Sequence, residues 1–220
     1  MPDLSLGELD ALVLKAYRGA GFSWGMAQEA GKAAVWLASN GLPAAEYFAA
    51  LVKQIDGVEP AALAPMIKDG EWIDADRPLC PVVVGTVLSD YGLSYFCAKT
   101  ELVISAVHKP AVLLPFIAHC ATVAGVSFSV WIDGCEVTAD LPGCSGILSL
   151  NQAPVSIQQA QNESRSAAKI LTGICGASQS RSVASREDLK VLNLFAHRTY
   201  VPATEQSRVS GAGAGLTDND

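Results

Sequence analysis

Val126-Ser127-Phe128-Ser129-Val130-Trp131-Ile132-Asp133-Gly134-Cys135-Glu136-Val137-Thr138 is the stretch on which the fold turns. Its first seven residues are rich in β-branched and aromatic side chains, which suit a pleated, half-buried surface. Asp133-Gly134 then separates them from a second short run. A type I′ turn needs positive φ at both central positions, and Asp-Gly tolerates this best, so the segment reads as a β-hairpin. Antiparallel structure here, in a chain that opens with helices, sets the class as α+β.

Upstream of the hairpin, Val82 to Leu88 and Leu102 to Val107 are β-branched apolar runs that read as strands. A helix is expected from Ala111 to Ala124, after Lys109-Pro110. The span from Pro110 to Ile132 contains no Asp, Glu, Lys or Arg and is nominally long enough to cross a bilayer. Pro115, His119 and Gly125 inside it favour a buried helix that breaks at Gly125 into a buried strand. Downstream, Leu148 to Ile157 suggests a further strand interrupted by Pro154, and Ser164 to Thr172 is apolar but of no assignable type. Gly173 to Ala184 reads as a Ser/Gly-rich loop. Ser185 and Asp188 then open a helix through Leu189, Leu192, Phe195 and Ala196.

The first seventy residues read as three helices. Ser5 and Glu8 form an S-x-x-E capping box, Gly19-Ala20-Gly21 ends the first helix, and Ser23 caps the second. Asn40-Gly41 supplies a left-handed stop, and Pro43 suits the first turn of the third. Ala27, Ala30, Gly31, Ala33 and Ala34 point to close packing of the second helix, in the core or against another subunit. Asp56 to Pro81 is turn-rich and reads as a connector. The organisation expected is a helical N-terminal lobe (1–70) packed on an α+β lobe (78–200), with a glycine-rich segment at 201–220.

The chain has 220 residues, half of them hydrophobic and 17% charged, which excludes disorder throughout and allows one substantial core. A net charge of −7 without a basic stripe argues against nucleic acid as a partner. No basic-then-apolar leader opens the sequence, so a reducing cytoplasm and a non-membrane protein are expected. Cysteines 80, 97, 120, 135, 144 and 175 show no zinc-like pairing, and Cys120 and Cys175 sit among apolar residues as small hydrophobes.

Three stretches carry a resemblance: Ser5-Leu6-Gly7-Glu8 with Ala16 to Gly25, Glu29 to Leu37, and the ending Gly211 to Asp220. Together they resemble an uncharacterised bacterial family, domain of unknown function 3726, along essentially the whole chain. The resemblance implies a bacterial, stand-alone protein and brings no established activity, cofactor or catalytic residue. On small residues and apolar spacing, the first helices are also similar to the N-terminal helical region of the malate/lactate dehydrogenase family distinct from the Rossmann type.

Candidate chemistry gathers at the end of the chain. Glycines at 211, 213 and 215 leave backbone amides bare, and successive N–H groups can form an anion-binding nest. Arg198 and Arg208 could clamp a carboxylate or phosphate, with Thr199, Tyr200 and Ser207 as hydroxyl partners. A solvated tail has the same composition. The glycine spacing is not a dinucleotide fingerprint, and no cofactor motif emerges. Asp218, Asn219 and Asp220 offer hard oxygen ligands to Mg²⁺ or Ca²⁺, though such ends are more often merely hydrated.

Any of the three histidines, His108, His119 and His197, could serve as a general base; His197 beside the tail is the best placed, and His108 ends a strand where functional loops begin. Each equally fits a structural or surface role. His119 and Cys120 are neighbours on a helix and point about 100° apart, a poor base–nucleophile pair. Arg181, among serines just before the helix at 185, is a second anion candidate, and a capped surface loop is its plainer reading. Two functions follow: an enzyme or binding protein for an anionic small molecule, or an assembly protein forming a homo-oligomer through the C-terminal segment or the alanine-rich helix.

Overall fold

Ser5 and Glu8 start the first helix as their spacing requires. The Glu8 amide donates to Ser5 Oγ at 3.2 Å, and the Ser5 amide donates to the Glu8 carboxylate at 2.7 Å. The computed structural model describes residues 2–68, 71–73, 77–98, 101–125, 128–137, 150–159 and 179–200. After a short strand β1 (Asp3–Ser5) come α1 (Leu6–Gly19), α2 (Trp24–Ser39) and α3 (Ala44–Ile55). Gly21 and Gly41, at φ 102° and 78°, make the turns between them. Such angles suit glycine because it has no Cβ to clash.

The small residues of α2 are used internally. Ala27, Ala30, Gly31, Ala33 and Ala34 are all buried, and a Cβ on Gly31 would lie 2.1 Å from Asp10 Oδ1. α1 therefore crosses α2 at a distance that only a bare position allows. A last helix, α6 (Arg186–His197), starts at Ser185, which accepts from the Asp188 amide at 3.0 Å. It returns to pack on α1 and α3 through Leu192 and Phe195. Just before it, residues expected to be loop form β8 (Arg181–Val183), antiparallel to β1. Pairing with β1, remote in sequence, is what makes this a strand.

Tyr17, Phe22 and Phe48 form the aromatic centre of this bundle, with ring centroids 5.4 and 5.5 Å from Tyr17. Tyr17 is wholly buried, and its hydroxyl has no hydrogen-bond partner among the described residues. Burial pushes that hydroxyl well above the ordinary tyrosine range. A buried, unsatisfied hydroxyl costs about 1–3 kcal/mol. Tyr17→Phe is therefore expected to raise stability by about 1 kcal/mol in chemical denaturation, against the usual sign for a core substitution.

The remaining strands form one mixed sheet in the order β2-β3-β4-β7-β5-β6. Their ranges are β2 Met66–Lys68, β3 Glu71–Ile73, β4 Glu101–His108, β5 Phe128–Ile132, β6 Cys135–Glu136 and β7 Gln152–Gln159. β3 and β4 run parallel; every other neighbouring pair is antiparallel. The hairpin that decided the class is present, with Asp133 at φ 52° and Gly134 at φ 73°. Asp56 to Pro81 is more than a connector, because it holds a 3-10 turn (Pro60–Leu63) and both β2 and β3.

Pro154 sits inside β7, between two neighbours, where a missing N–H should break the ladder. β4 answers with a bulge. Ile104 faces Val155 and Val107 faces Ala153, so two residues of β4 stand opposite Pro154. The Ala106 carbonyl is then free to accept from the Leu79 amide at 2.8 Å. The extra residue also shifts the inward set of β4 from Leu102 and Ile104 to Val107, so all three remain buried.

Val82 to Leu88, expected as a strand, is instead the first half of α4 (Pro81–Ala98). The run is apolar because the first half of α4 is enclosed: Val82, Val83, Val84 and Leu88 are all buried. A buried helix and a buried strand then share one pattern. Pro81 suits a first turn, and the hydroxyls of Thr86 and Ser89 donate to the Val83 and Gly85 carbonyls at 2.8 and 2.9 Å. α5 (Leu114–Ala124) follows a 3-10 turn (Pro110–Leu113) and ends at Gly125 with φ 64°. A Cβ on Gly85 would stand 2.3 Å from the Phe116 ring, so α4 and α5 also meet at a bare position. Among the described residues, no helix is long and apolar enough to cross a membrane.

Candidate functional site

The described part of the expected C-terminal cluster is committed to holding α6. Arg198 forks onto Asp56, at 2.5 Å to Oδ1 and 3.1 Å to Oδ2, and its guanidinium lies 4.1 Å from the centroid of the Phe195 ring. Thr199 Oγ1 donates to the Ala196 carbonyl at 2.7 Å. Tyr200 accepts a 3.5 Å hydrogen bond from Lys15 Nζ, and its ring meets His197 edge-on at 5.2 Å. Ser207, Arg208, Gly211, Gly213, Gly215, Asp218, Asn219 and Asp220 lie outside the described residues. Among the described residues, no three His, Cys, Asp or Glu side chains gather as metal ligands.

The Arg198 guanidinium holds the Asp56 carboxyl below the ordinary aspartate range, chiefly through their hydrogen bonds. A depressed folded-state pKa lends stability above the unfolded value and withdraws it as pH falls through the lower one. Asp56→Asn should therefore flatten part of the acid-induced loss below about pH 4. Both side chains are more than a third exposed, so the effect at neutral pH should stay under about 1 kcal/mol. Acid titration of the melting temperature of both forms measures it.

Arg181 is likewise taken up within the fold: its Nε pairs with the Asp3 carboxylate and its Nη2 donates to the Asp3 carbonyl at 3.1 Å. His108, half-buried at the end of β4, has its pKa lowered by burial. Beside it, Lys109 adopts a left-handed backbone (φ 41°) and is buried, with Nζ 3.8 Å from Glu46 Oε1 and 5.5 Å from the Tyr47 ring centroid. This lysine pins the β4–α5 corner to α3. Burial, with Glu46 alongside, pushes the Tyr47 hydroxyl up to about 12. Cys80 and Cys120 are buried free thiols, each pushed up to about 11 by burial, and Cys120 Sγ lies 3.4 Å from the Leu88 carbonyl. Neither is an activated nucleophile. Cys135 is exposed in β6.

Side chains that the sequence leaves scattered meet elsewhere, in a cleft of about 780 Å³ where α2 faces α4 and α5. α2 contributes Ser23, Gly25, Met26, Glu29, Lys32, Ala33 and Trp36; α4 contributes Thr86, Ser89 and Asp90; α5 contributes Pro115, Phe116 and His119. Lys32 and Glu29 form a 2.7 Å ion pair on its wall. Asp90 and His119 are exposed and make no hydrogen bond or ion pair with the described residues. The cleft therefore combines aromatic rings with a carboxylate and an imidazole that have no partner among the described residues. That combination can bind an organic molecule and move a proton on it.

In the sequence His119 is one of three histidines able to act as a general base and an unsuitable partner for Cys120, while Asp90 does not stand out by itself. The legible clue was Thr86, Ser89 and Asp90 at i, i+3 and i+4 in an apolar run. It has meaning only once that run is a helix.

Residues 4–77 match the model of a family described as "Protein of unknown function (DUF3726)". The match covers α1 to β3, with the stretches at 5–25 and 29–37 that carry the resemblance, and ends before the C-terminal glycines. No curated protein and no solved structure matches the chain.

Proposed function

We propose that this protein binds a small organic molecule in the cleft between α2, α4 and α5, with His119 as its proton donor or acceptor. One observation carries the reading: chemically able side chains from three separate helices converge on a cavity of about 780 Å³, inside the usual size range of ligand sites. Trp36 and Phe116 give apolar contact, while Asp90 and His119 supply polar groups without a partner among the described residues. A C-terminal site for an anion stands behind this reading, because the Arg198 fork is already filled by Asp56. An anion there would have to displace an intramolecular carboxylate.

The test is amide-resolved NMR with a fragment set of small aromatic amines, carboxylates and neutral compounds. Shifts should cluster on residues 23–36, 86–90 and 115–119, and His119→Ala should weaken them without changing the spectrum of the rest. Shifts confined to residues 195–200 would move the site to the C-terminal cluster and end the cleft reading.

A further inference from the structure

We propose that the molecule taken up by this cleft is a cation, a protonated amine on a compact aromatic or apolar body; this rests on the cleft being the binding site. Thr86 Oγ1 and Ser89 Oγ donate their hydrogens back into α4, to the Val83 and Gly85 carbonyls. Each hydroxyl is then left with lone pairs alone to offer the cleft. Asp90, on the same helical face, is an acceptor without a partner among the described residues. The α4 wall is thus a row of three acceptors with no fixed donor.

The opposite wall does not reverse this. Lys32 is the cation lining the cleft, and Glu29 neutralises it at 2.7 Å. With that pair cancelled and His119 neutral, Asp90 leaves the described lining one negative charge in excess. A ligand carboxylate would meet a like charge there, whereas an ammonium would meet three acceptors in its hydrogen-bonding reach. Trp36 adds an aromatic ring to the lining, and the face of such a ring attracts cations and repels anions. The amino end of α2, at Ser23 and Gly25, pulls the other way with its partial positive charge. It is already capped by the Ser23 hydroxyl, which accepts from the Met26 amide at 3.3 Å.

Three probes of matched shape separate the possibilities: 2-phenylethylammonium, 2-phenylethanol and phenylacetate, titrated into the full chain and followed by amide NMR. The amine should bind about tenfold tighter than the alcohol, and phenylacetate weakest. Asp90→Asn should bring the amine down to the level of the alcohol, while Glu187→Gln, the same charge change on α6, should leave it unaltered. Rising salt should weaken the amine and not the alcohol. Phenylacetate binding in the cleft more tightly than the alcohol would overturn the cation assignment and leave the cleft reading standing. An amine affinity indifferent to Asp90→Asn would do the same. Absence of shifts at residues 86–90 with all three probes at millimolar concentration would remove both.

Discussion

Phe48→Ala is expected to lower the folding stability by about 4 kcal/mol, the largest loss among the substitutions considered. Phe48 is wholly buried on α3 and meets the Tyr17 ring edge-on, with centroids 5.5 Å apart. Truncation removes the transfer free energy of the ring and also opens a cavity that three helices cannot easily close. α1, α2 and α6 all pack on α3, so relaxation of one is resisted by the others. Part of the loss comes from the aromatic pair itself, worth about 0.5–1.5 kcal/mol beyond burial. In a chain of this size the melting temperature should fall by about 10 °C. Urea unfolding with an unchanged m-value measures it, and a loss under about 1 kcal/mol would mean that Phe48 does not sit at the bundle centre.

Gly19→Ala should cost about 3 kcal/mol although it adds a single methyl group. A Cβ there would stand 1.9 Å from the Phe195 carbonyl oxygen and 2.8 Å from its carbon. Both are backbone atoms of α6, so no rotamer change can relieve the clash; the helices must separate. The Arg198 Cβ, 3.3 Å away, lies beside the same crossing. Gly7→Ala on the same helix provides the contrast, because nothing lies within 4 Å of its would-be Cβ. There the higher helix propensity of alanine should stabilise by about 0.5–1 kcal/mol. Opposite signs at two glycines of α1 would locate the α1–α6 contact by stability measurements alone.

These contrasts also mark what the sequence could convey. Caps are local chemistry, so Ser5, Ser23 and Ser185 announce their helices within four residues. The Asp133-Gly134 turn is local in the same way. α4 was hidden because its enclosure erases periodicity, leaving only Val-rich composition, and that composition favours a strand. β2 and β3 were hidden for a different reason. Strands of three residues have little identity of their own; β3 exists because β4 offers it a parallel edge, and β2 because β3 does.

The cleft failed to show for a related cause. Its walls come from residues 23–36, 86–90 and 115–119, and only the meeting of α2 with α4 and α5 makes them neighbours. The C-terminal residues read as a site because arginines and hydroxyls adjoin there in the chain. In the fold, Arg198, Thr199 and Tyr200 serve α6 and its contacts with Asp56 and Lys15.

The return of β8 and α6 to the first helix has a consequence for synthesis. Asp3 and Arg181, which touch in the finished protein, are 178 positions apart. At roughly 5–20 residues per second, on the order of ten seconds or more separates their emergence from the ribosome. Throughout that interval α1 has no α6 to pack on, and the side of it that α6 covers in the finished protein stays open to solvent.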